Sequence, residues 1–249
     1  MIKEKSLYDK LLRVESTTHD DEVIRFLNFL KEKIPFSFAR FNDGEMGGIE
    51  RAGASIARGD QIVNERLQSK LIEALQHKQK NYWVGVVCSF CYPHFKELTN
   101  KYTDNEYEYF TRACVITNRN WLKFIQDFPK VVAGRELIWY GGDDQNAQKL
   151  NDIGIFPKRI IYTRTQDSWS QYEDVKRTSD QFKDGDVVCM SIGPLSRVLA
   201  AEWFNEFPKV TFIDVGSVFD PFTRQVSHNC HKGWIETGVN RTQKCEECN

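Results

Sequence analysis

The residues best suited to chemistry lie in one short run, Arg40-Phe41-Asn42-Asp43-Gly44-Glu45. It holds a cation, two carboxylates and a glycine. Asp43 and Glu45 are separated by a single residue, and in a turn or extended backbone such a pair can aim both acids at one ion. Gly44 lets the chain bend there without a Cβ clash. Hard carboxylate oxygens suit Mg²⁺ or Mn²⁺, which keep open positions for phosphate oxygens. An ion held there neutralises a diphosphate leaving group as charge develops on it. Arg40 can add a charge-assisted contact to the same phosphates. The same residues also fit a helix N-terminus, with Asn42 or Asp43 as the cap and Glu45 in the first turn.

The elements that must position this run can be read from hydrophobic spacing. Residues 20–33 (DDEVIRFLNFLKEK) predict an amphipathic helix with Val23, Phe26, Leu27 and Leu30 on one stripe and an acidic first turn. Pro35 ends it, and FSFARF reads as a short strand running into the Asn42-Asp43-Gly44 turn. Helical patterns follow at ERLQSKLIEALQH, NWLKFIQDF, residues 168–182 and LSRVLAAEWF. Apolar strand patterns fall between them at YWVGVVC, ELIWYGG, RIIYT, DVVCMSIG and VTFIDVG. This alternation predicts an α/β fold, a Rossmann-like, mostly parallel sheet with helices on both faces. Such sheets bind ligands at the carboxyl ends of their strands. That rule selects the loops at 42–48, 141–146, 163–169, 191–196 and 214–222, where the polar, glycine-containing segments lie.

The segment SFARFNDGEMGGI resembles the signature of the GT-D-type glycosyltransferases, whose common form after the first strand is R-F-G-D-G-E. In that family the D-x-E acids hold the divalent metal that bridges the diphosphate of a nucleotide-sugar. Those acids fall on Asp43 and Glu45, and Asn42 stands where glycine is usual. Ser191-Ile192-Gly193-Pro194 followed by Val198 to Ala200 is similar to the family's G-P-x-x-x-V-L-A pattern. The segment from Phe212 to Ser217 resembles its I-D-I-G stretch, and Asp220-Pro221-Phe222 its D-P-[FY] form. The resemblance spans about residues 36–222. It implies a GT-D-like fold and a UDP-sugar-like donor, and leaves the acceptor open.

The other loops supply further candidates. Gly193 can let backbone N–H groups approach a phosphate at a helix start, or mark a plain turn with Pro194 at the first helical position. Gly141-Gly142-Asp143-Asp144 can hold the nucleotide or supply an acid, or Asp144 can cap the next helix. Trp169 can stack on a nucleobase or sit in the core, with Asp167 or Ser168 capping the helix there. An inverting transferase needs a base to deprotonate the acceptor hydroxyl. Asp220 is the candidate, its alternative being a turn acid beside Pro221. The expected catalytic residues are thus Asp43, Glu45 and Asp220. The expected donor-binding residues are Arg40, Asn42, Gly44, Ser191, Gly193, Trp169 and Ser217.

Near the C-terminus come His228, Cys230 and His231, then Cys245-Glu246-Glu247-Cys248. Cys230, His231, Cys245 and Cys248 are the right ligand types for a structural Zn²⁺. The tail can equally be a frayed end, or Arg224, His228 and His231 can line the rim of the active site. A second C-x-x-C occurs at Cys88 and Cys91. The domain reading is one α/β domain over residues 1–222 and a Cys/His-containing tail over 223–249.

Composition narrows the classes. The chain has 249 residues and a net charge of −1, which argues against a protein built around a strongly basic nucleic-acid face. The N-terminus lacks the apolar core of a signal peptide, and no run reaches the roughly 18 apolar residues of a membrane span. Among the seven cysteines, Cys88, Cys114 and Cys189 sit in apolar, strand-like surroundings, as thiols do in a reducing cytosol. A cytoplasmic location is expected, and oligomeric state stays open. The expected function is metal-dependent transfer of a sugar from a nucleoside diphosphate sugar to a hydroxyl of a glycan, glycoprotein, lipid-linked glycan or nucleic acid. The alternatives are a nucleotidyl transferase or hydrolase using the same acids, a nucleic-acid-binding or -modifying protein, including a sugar transferase acting on modified DNA bases, and a non-catalytic nucleotide-binding scaffold.

Overall fold

The computed structural model describes residues 19–56, 61–88, 91–103 and 108–224. Helix α1 (His19–Lys31) buries Val23, Phe26, Leu27 and Leu30, the stripe its spacing dictates. Strand β1 (Ser37–Phe41) follows, buried along its whole length, and runs directly into α2 (Asp43–Glu50). A small antiparallel hairpin, β2 (Ser55–Ile56) with β3 (Gln61–Ile62), precedes α3 (Glu65–Gln76) and β4 (Tyr82–Val86). Then come α4 (Lys96–Tyr102), β5 (Phe110–Arg112) and α5 (Trp121–Val132). The second half holds β6 (Leu137–Gly142), β7 (Arg159–Thr163), α6 (Tyr172–Arg177) and β8 (Val187–Ser191). It closes with α7 (Leu195–Glu206), β9 (Thr211–Asp214) and the single helical turn α8 (Asp220–Thr223).

The seven-stranded sheet has the order β5-β4-β1-β9-β8-β6-β7, and all its pairings are parallel. Side chains alternate between its two faces, as period-two strands require. Leu137, Trp139, Val187, Cys189 and Ile213 pack under α1 and α5 on one face. Ile138, Tyr140, Val188, Met190 and Phe212 pack under α3 and α7 on the other. Burial on both faces explains why these strands read as continuous apolar runs. The register sets Gly141 beside Ser191 and Met190 beside Asp214, so the strand ends are level where the loops depart. From β6 the chain moves outward to β7, whereas from β8 it moves inward to β9. Their loops therefore part at the carboxyl edge, where sheets of this kind take ligands.

Residues 168–182, expected as one helix, are instead a 3₁₀ turn (Ser168–Gln171), the short α6 and a second 3₁₀ turn (Thr178–Gln181). Hydroxyl side chains are the cause. Ser170 bonds the carbonyl of Asp167, and Thr178 bonds the carbonyl of Val175 while meeting the Tyr140 hydroxyl at 2.6 Å. Such local bonds compete with helical ones. No described helix is long and apolar enough to cross a membrane.

Candidate active site

Strand β1 delivers the acidic run to the carboxyl edge of the sheet. Asn42 is extended (φ −86°, ψ −174°) and caps α2, whose first residue is Asp43. The carboxylate of Glu45 reaches back to accept from the Asn42 backbone N–H at 3.1 Å. The backbone thus takes the helix-N-terminus form, and within it the two acids behave differently. Glu45 is only 7% exposed, while Asp43 lies at the surface. The Asp43 carboxyl titrates above the ordinary aspartate value because it is crowded by surrounding protein and lies near the charge of Glu45. Bonds from the N–H groups of Asp43 and Gly44 and from the Tyr92 side chain offset part of this.

Behind these acids lies a buried charged quartet. Asp214, at the end of β9, is fully buried. Its Oδ2 accepts from the Arg40 backbone N–H at 3.1 Å and lies 3.0 Å from Arg197 Nε, and its Oδ1 accepts from Gly216 N–H at 3.1 Å. Arg40 turns inward. Its Nε donates to the Ala113 carbonyl at 2.8 Å and its Nη1 to the Val215 carbonyl at 3.1 Å. The guanidinium expected on phosphate therefore ties β1 to the loops after β5 and β9 and lends the site its charge from beneath. Gly216 (φ +49°) makes room, since a Cβ there would lie 2.7 Å from Arg40 Nη1. Arg197, on α7, completes the group. Its Nη2 stands 3.3 Å from Glu45 Oε1, its Nε donates to the Arg40 carbonyl at 2.6 Å, and its Nη1 donates to the Gly193 carbonyl.

A second network fills the gap between the β6 and β8 loops. Gln145 Nε2 donates to Ser191 Oγ at 2.9 Å and to Asp220 Oδ1 at 2.8 Å, and its Oε1 accepts from Gly142 N–H. A Cβ at Gly141 would collide with Gln145 Oε1, which accounts for glycine at the end of β6. Ser191 Oγ donates onward to the Gly216 carbonyl at 2.6 Å, so its hydroxyl joins the two networks. Asp220 is 2% exposed, and Arg224 Nε lies 3.1 Å from its Oδ1. Burial raises its pKa, against the lowering effect of Arg224. Asp220 opens α8, with Pro221 inside the first turn, in place of an open loop acid. Arg224 also pairs with Asp144, whose other oxygen accepts from Thr165 Oγ1 at 2.5 Å. Asn146, not Asp144, caps the helical segment that follows.

Gly193 (φ +60°) is half-exposed at the start of α7, next to the quartet. Ser217 is half-buried in the β9 loop. Trp169 stands apart. It is 7% exposed, its ring lies 4.8 Å from that of Tyr172, and Arg66 lies across it. Gln61 ties the β2–β3 hairpin to this loop, accepting from Trp169 N–H at 3.2 Å. The packing makes Trp169 a core residue with no open face for a base. Asn42, Asp43, Gly44, Glu45, Arg40, Gly193, Ser191 and Ser217 are gathered at the ends of β1, β9 and β8, with Asp220 beside them. Arg197 and Gln145 were missed by spacing alone. For Arg197 a signal existed: nine residues of α7 are buried, and an arginine in a helix apolar on nearly every face must be buried with partners.

The donor set fits a divalent cation held largely by its substrate. Burial and the neighbouring charge of Glu45 raise the pKa of Asp43, as expected where two acids share a small space. Mg²⁺ and Mn²⁺ sites often take one or two acids and fill the rest with phosphate and water. Among the described residues no group of three or more His, Cys, Asp or Glu could hold a metal. Cys88 and Cys91 pack against Cys114, and the four described cysteines form no disulfide. The tail ligands expected for zinc, Cys230, His231, Cys245 and Cys248, lie outside the described residues.

No family model matches the chain, and no curated protein matches it. Solved structures do. One is a domain of unknown function 1792 (DUF1792) described as having a distinct glycosyltransferase fold. It is 18% identical, with a TM-score of 0.63 over 88% of this chain and 81% of that one. Another is a glycosyltransferase (DUF1792) from Streptococcus sanguinis, 16% identical, with a TM-score of 0.64 over 88% of this chain and 84% of that one. A selenomethionine-substituted DUF1792 structure matches at 17% identity and a TM-score of 0.63. At these identities the likeness is one of fold, and the chain has the fold that these glycosyltransferase structures carry.

Proposed function

We propose that this protein is a metal-dependent glycosyltransferase that moves a sugar from a nucleoside diphosphate sugar, with UDP as the first candidate, to a hydroxyl acceptor. The observation that carries the reading is the Asp43–Glu45 pair at the carboxyl end of β1, backed by a buried cation pair, in a glycosyltransferase fold. Asp43 is the outer ligand. Glu45 contributes lone pairs not used by Asn42 N–H and Arg197. A bound Mn²⁺ or Mg²⁺ supplies charge neutralisation on the diphosphate as the sugar–oxygen bond breaks. The N–H groups at the Gly193 turn lie on the same edge and suit a phosphate oxygen. Asp220 is proposed as the acceptor base. A raised pKa suits a base working near neutrality, and Arg224 must swing off it when acceptor enters.

The test is a screen of nucleotide-sugars for Mn²⁺- or Mg²⁺-dependent release of nucleoside diphosphate. Asp43→Ala and Glu45→Ala are run beside the wild type, with the fold checked by circular dichroism. Loss of turnover in both is expected. Undiminished turnover in either one removes that residue from the metal site, and in both it removes the reading. A sugar adduct on the acceptor with release of free diphosphate separates sugar transfer from nucleotidyl transfer.

A further inference from the structure

Arg197 is a buried cation that touches the acidic turn, the end of β1, the end of β9 and the Gly193 turn at once. Its Nη2 faces Glu45 Oε1 at 3.3 Å, its Nε lies 3.0 Å from Asp214 Oδ2, and it also bonds the carbonyls of Arg40 and Gly193. The residue is 5% exposed, so it offers no free face to a substrate. Glu45 is thereby held at both oxygens, by the Asn42 N–H on one side and Arg197 on the other. Its carboxylate plane is fixed, and so are the lone pairs that remain beside Asp43. The same guanidinium fixes the carbonyl of the Gly193 turn, so the acidic turn and the phosphate-facing turn share one anchor.

We propose that Arg197 is a positioning residue: it sets the orientation of Glu45 for a divalent cation and locks that orientation to the Gly193 turn. The inference rests on the reading of Asp43 and Glu45 as metal ligands. A planar guanidinium suits this task because its fork serves two carboxylates and two carbonyls at once, which a point ammonium cannot do. Groups that orient metal ligands in this way typically contribute roughly 10–100-fold to metal affinity. A purely structural strut would change stability and leave metal affinity alone.

The experiment is isothermal titration of Mn²⁺ into the full chain saturated with UDP. It compares wild type, Arg197→Met, Arg197→Lys, Glu45→Gln and the double variants Glu45→Gln/Arg197→Met and Glu45→Gln/Arg197→Lys. Glutamine can serve in place of glutamate at this capping position, so Glu45→Gln is a fair background. Arg197→Met is expected to weaken Mn²⁺ binding about 10–100-fold, and Arg197→Lys to recover part of the loss. Each double variant is expected to bind no worse than Glu45→Gln alone, because residues acting through one another are not additive. If Arg197→Met does not fold, Arg197→Lys and its double carry the comparison. Folded Arg197 variants that bind Mn²⁺ as the wild type does overturn the inference and leave the proposed function standing. Losses that multiply in the doubles also overturn it. A wild type that binds no Mn²⁺ with any nucleoside diphosphate removes the proposed function, and this inference with it.

Discussion

Asp214 is where a single change is expected to cost most. Its partners are all donors: Gly216 N–H on Oδ1, and Arg40 N–H and Arg197 Nε on Oδ2. With Arg40, Arg197 and Glu45 it forms a quartet of two cations and two acids, each 7% exposed or less. Asp214→Ala leaves two buried guanidinium groups with one acid between them. At an effective dielectric of 20, the 3.0 Å contact with Arg197 is worth about 5–6 kcal/mol before desolvation is counted. Breaking a buried pair by removing one partner typically costs about 3–5 kcal/mol. For a chain of this length that lowers Tm by roughly 6–20 °C. Asp214→Asn is no milder in kind. Wherever its amide nitrogen points it meets a donor, because neither oxygen of Asp214 faces an acceptor. We expect a loss of at least about 2 kcal/mol, since a buried polar group is left unsatisfied. Urea and thermal unfolding at pH 7 measure both variants. An Asp214→Asn protein within about 1 kcal/mol of wild type would refute the argument from an all-donor shell.

Further outcomes follow from other features. UDP with Mn²⁺ at about 100 times its dissociation constant is expected to stabilise the wild type by about 2.7 kcal/mol. Asp43→Asn should lose this thermal shift while unfolding normally without ligand, and an unchanged shift would detach Asp43 from the ligand. Gly216→Ala places a Cβ 2.7 Å from Arg40 Nη1 at φ +49°. A loss of about 1–3 kcal/mol is expected, measured by urea unfolding. Glu202 is partly buried, which raises its pKa, but bonds from Lys176, Tyr172 and Lys70 outweigh this and hold the pKa below the usual value of 4.5. A depressed folded pKa means that the stabilisation is present above the unfolded value and is lost as pH falls through the folded one. Wild-type stability should therefore drop below about pH 4.5, and Glu202→Gln should flatten that part of the profile. An equal acid slope in the two proteins would remove Glu202 from the account.

The sheet was legible in the sequence because its strands are covered on both faces, so Val187 to Met190 or Leu137 to Tyr140 read as apolar runs without ambiguity. The β2–β3 hairpin and β5 are two and three residues long, too short to show a period, and were not foreseen. The acidic turn was visible because its residues are neighbours in the chain. The apolar helix around Arg197 signals that it is buried, but not what it holds, because it lies 157 positions from the Arg40 carbonyl it bonds. Gln145 gave no sign, as a glutamine after two glycines looks like any solvated loop residue. Trp169 shows the opposite error: an aromatic near the sheet edge invites a stacking role, and the ring instead packs on Tyr172. The expectation for Arg40 followed from charge alone, and two nearby carbonyl acceptors, those of Ala113 and Val215, decided the direction of its side chain otherwise.

The position of β9 has a consequence for how the chain reaches its native state. Among the described residues it is the last strand of the sheet in sequence, and it lies in the middle, between β1 and β8. Until residues 211–214 have left the ribosome, the protein can build only two partial sheets, β5-β4-β1 and β8-β6-β7, each with a bare hydrogen-bonding edge. Pairing across such sequence distances is slow and leaves sticky edges open meanwhile. The strand that joins the halves also brings Asp214 to Arg40 and Arg197. Ribosome-bound chains cut before that point should therefore rely on chaperones, and they should gain protease resistance and the charged quartet in the same step.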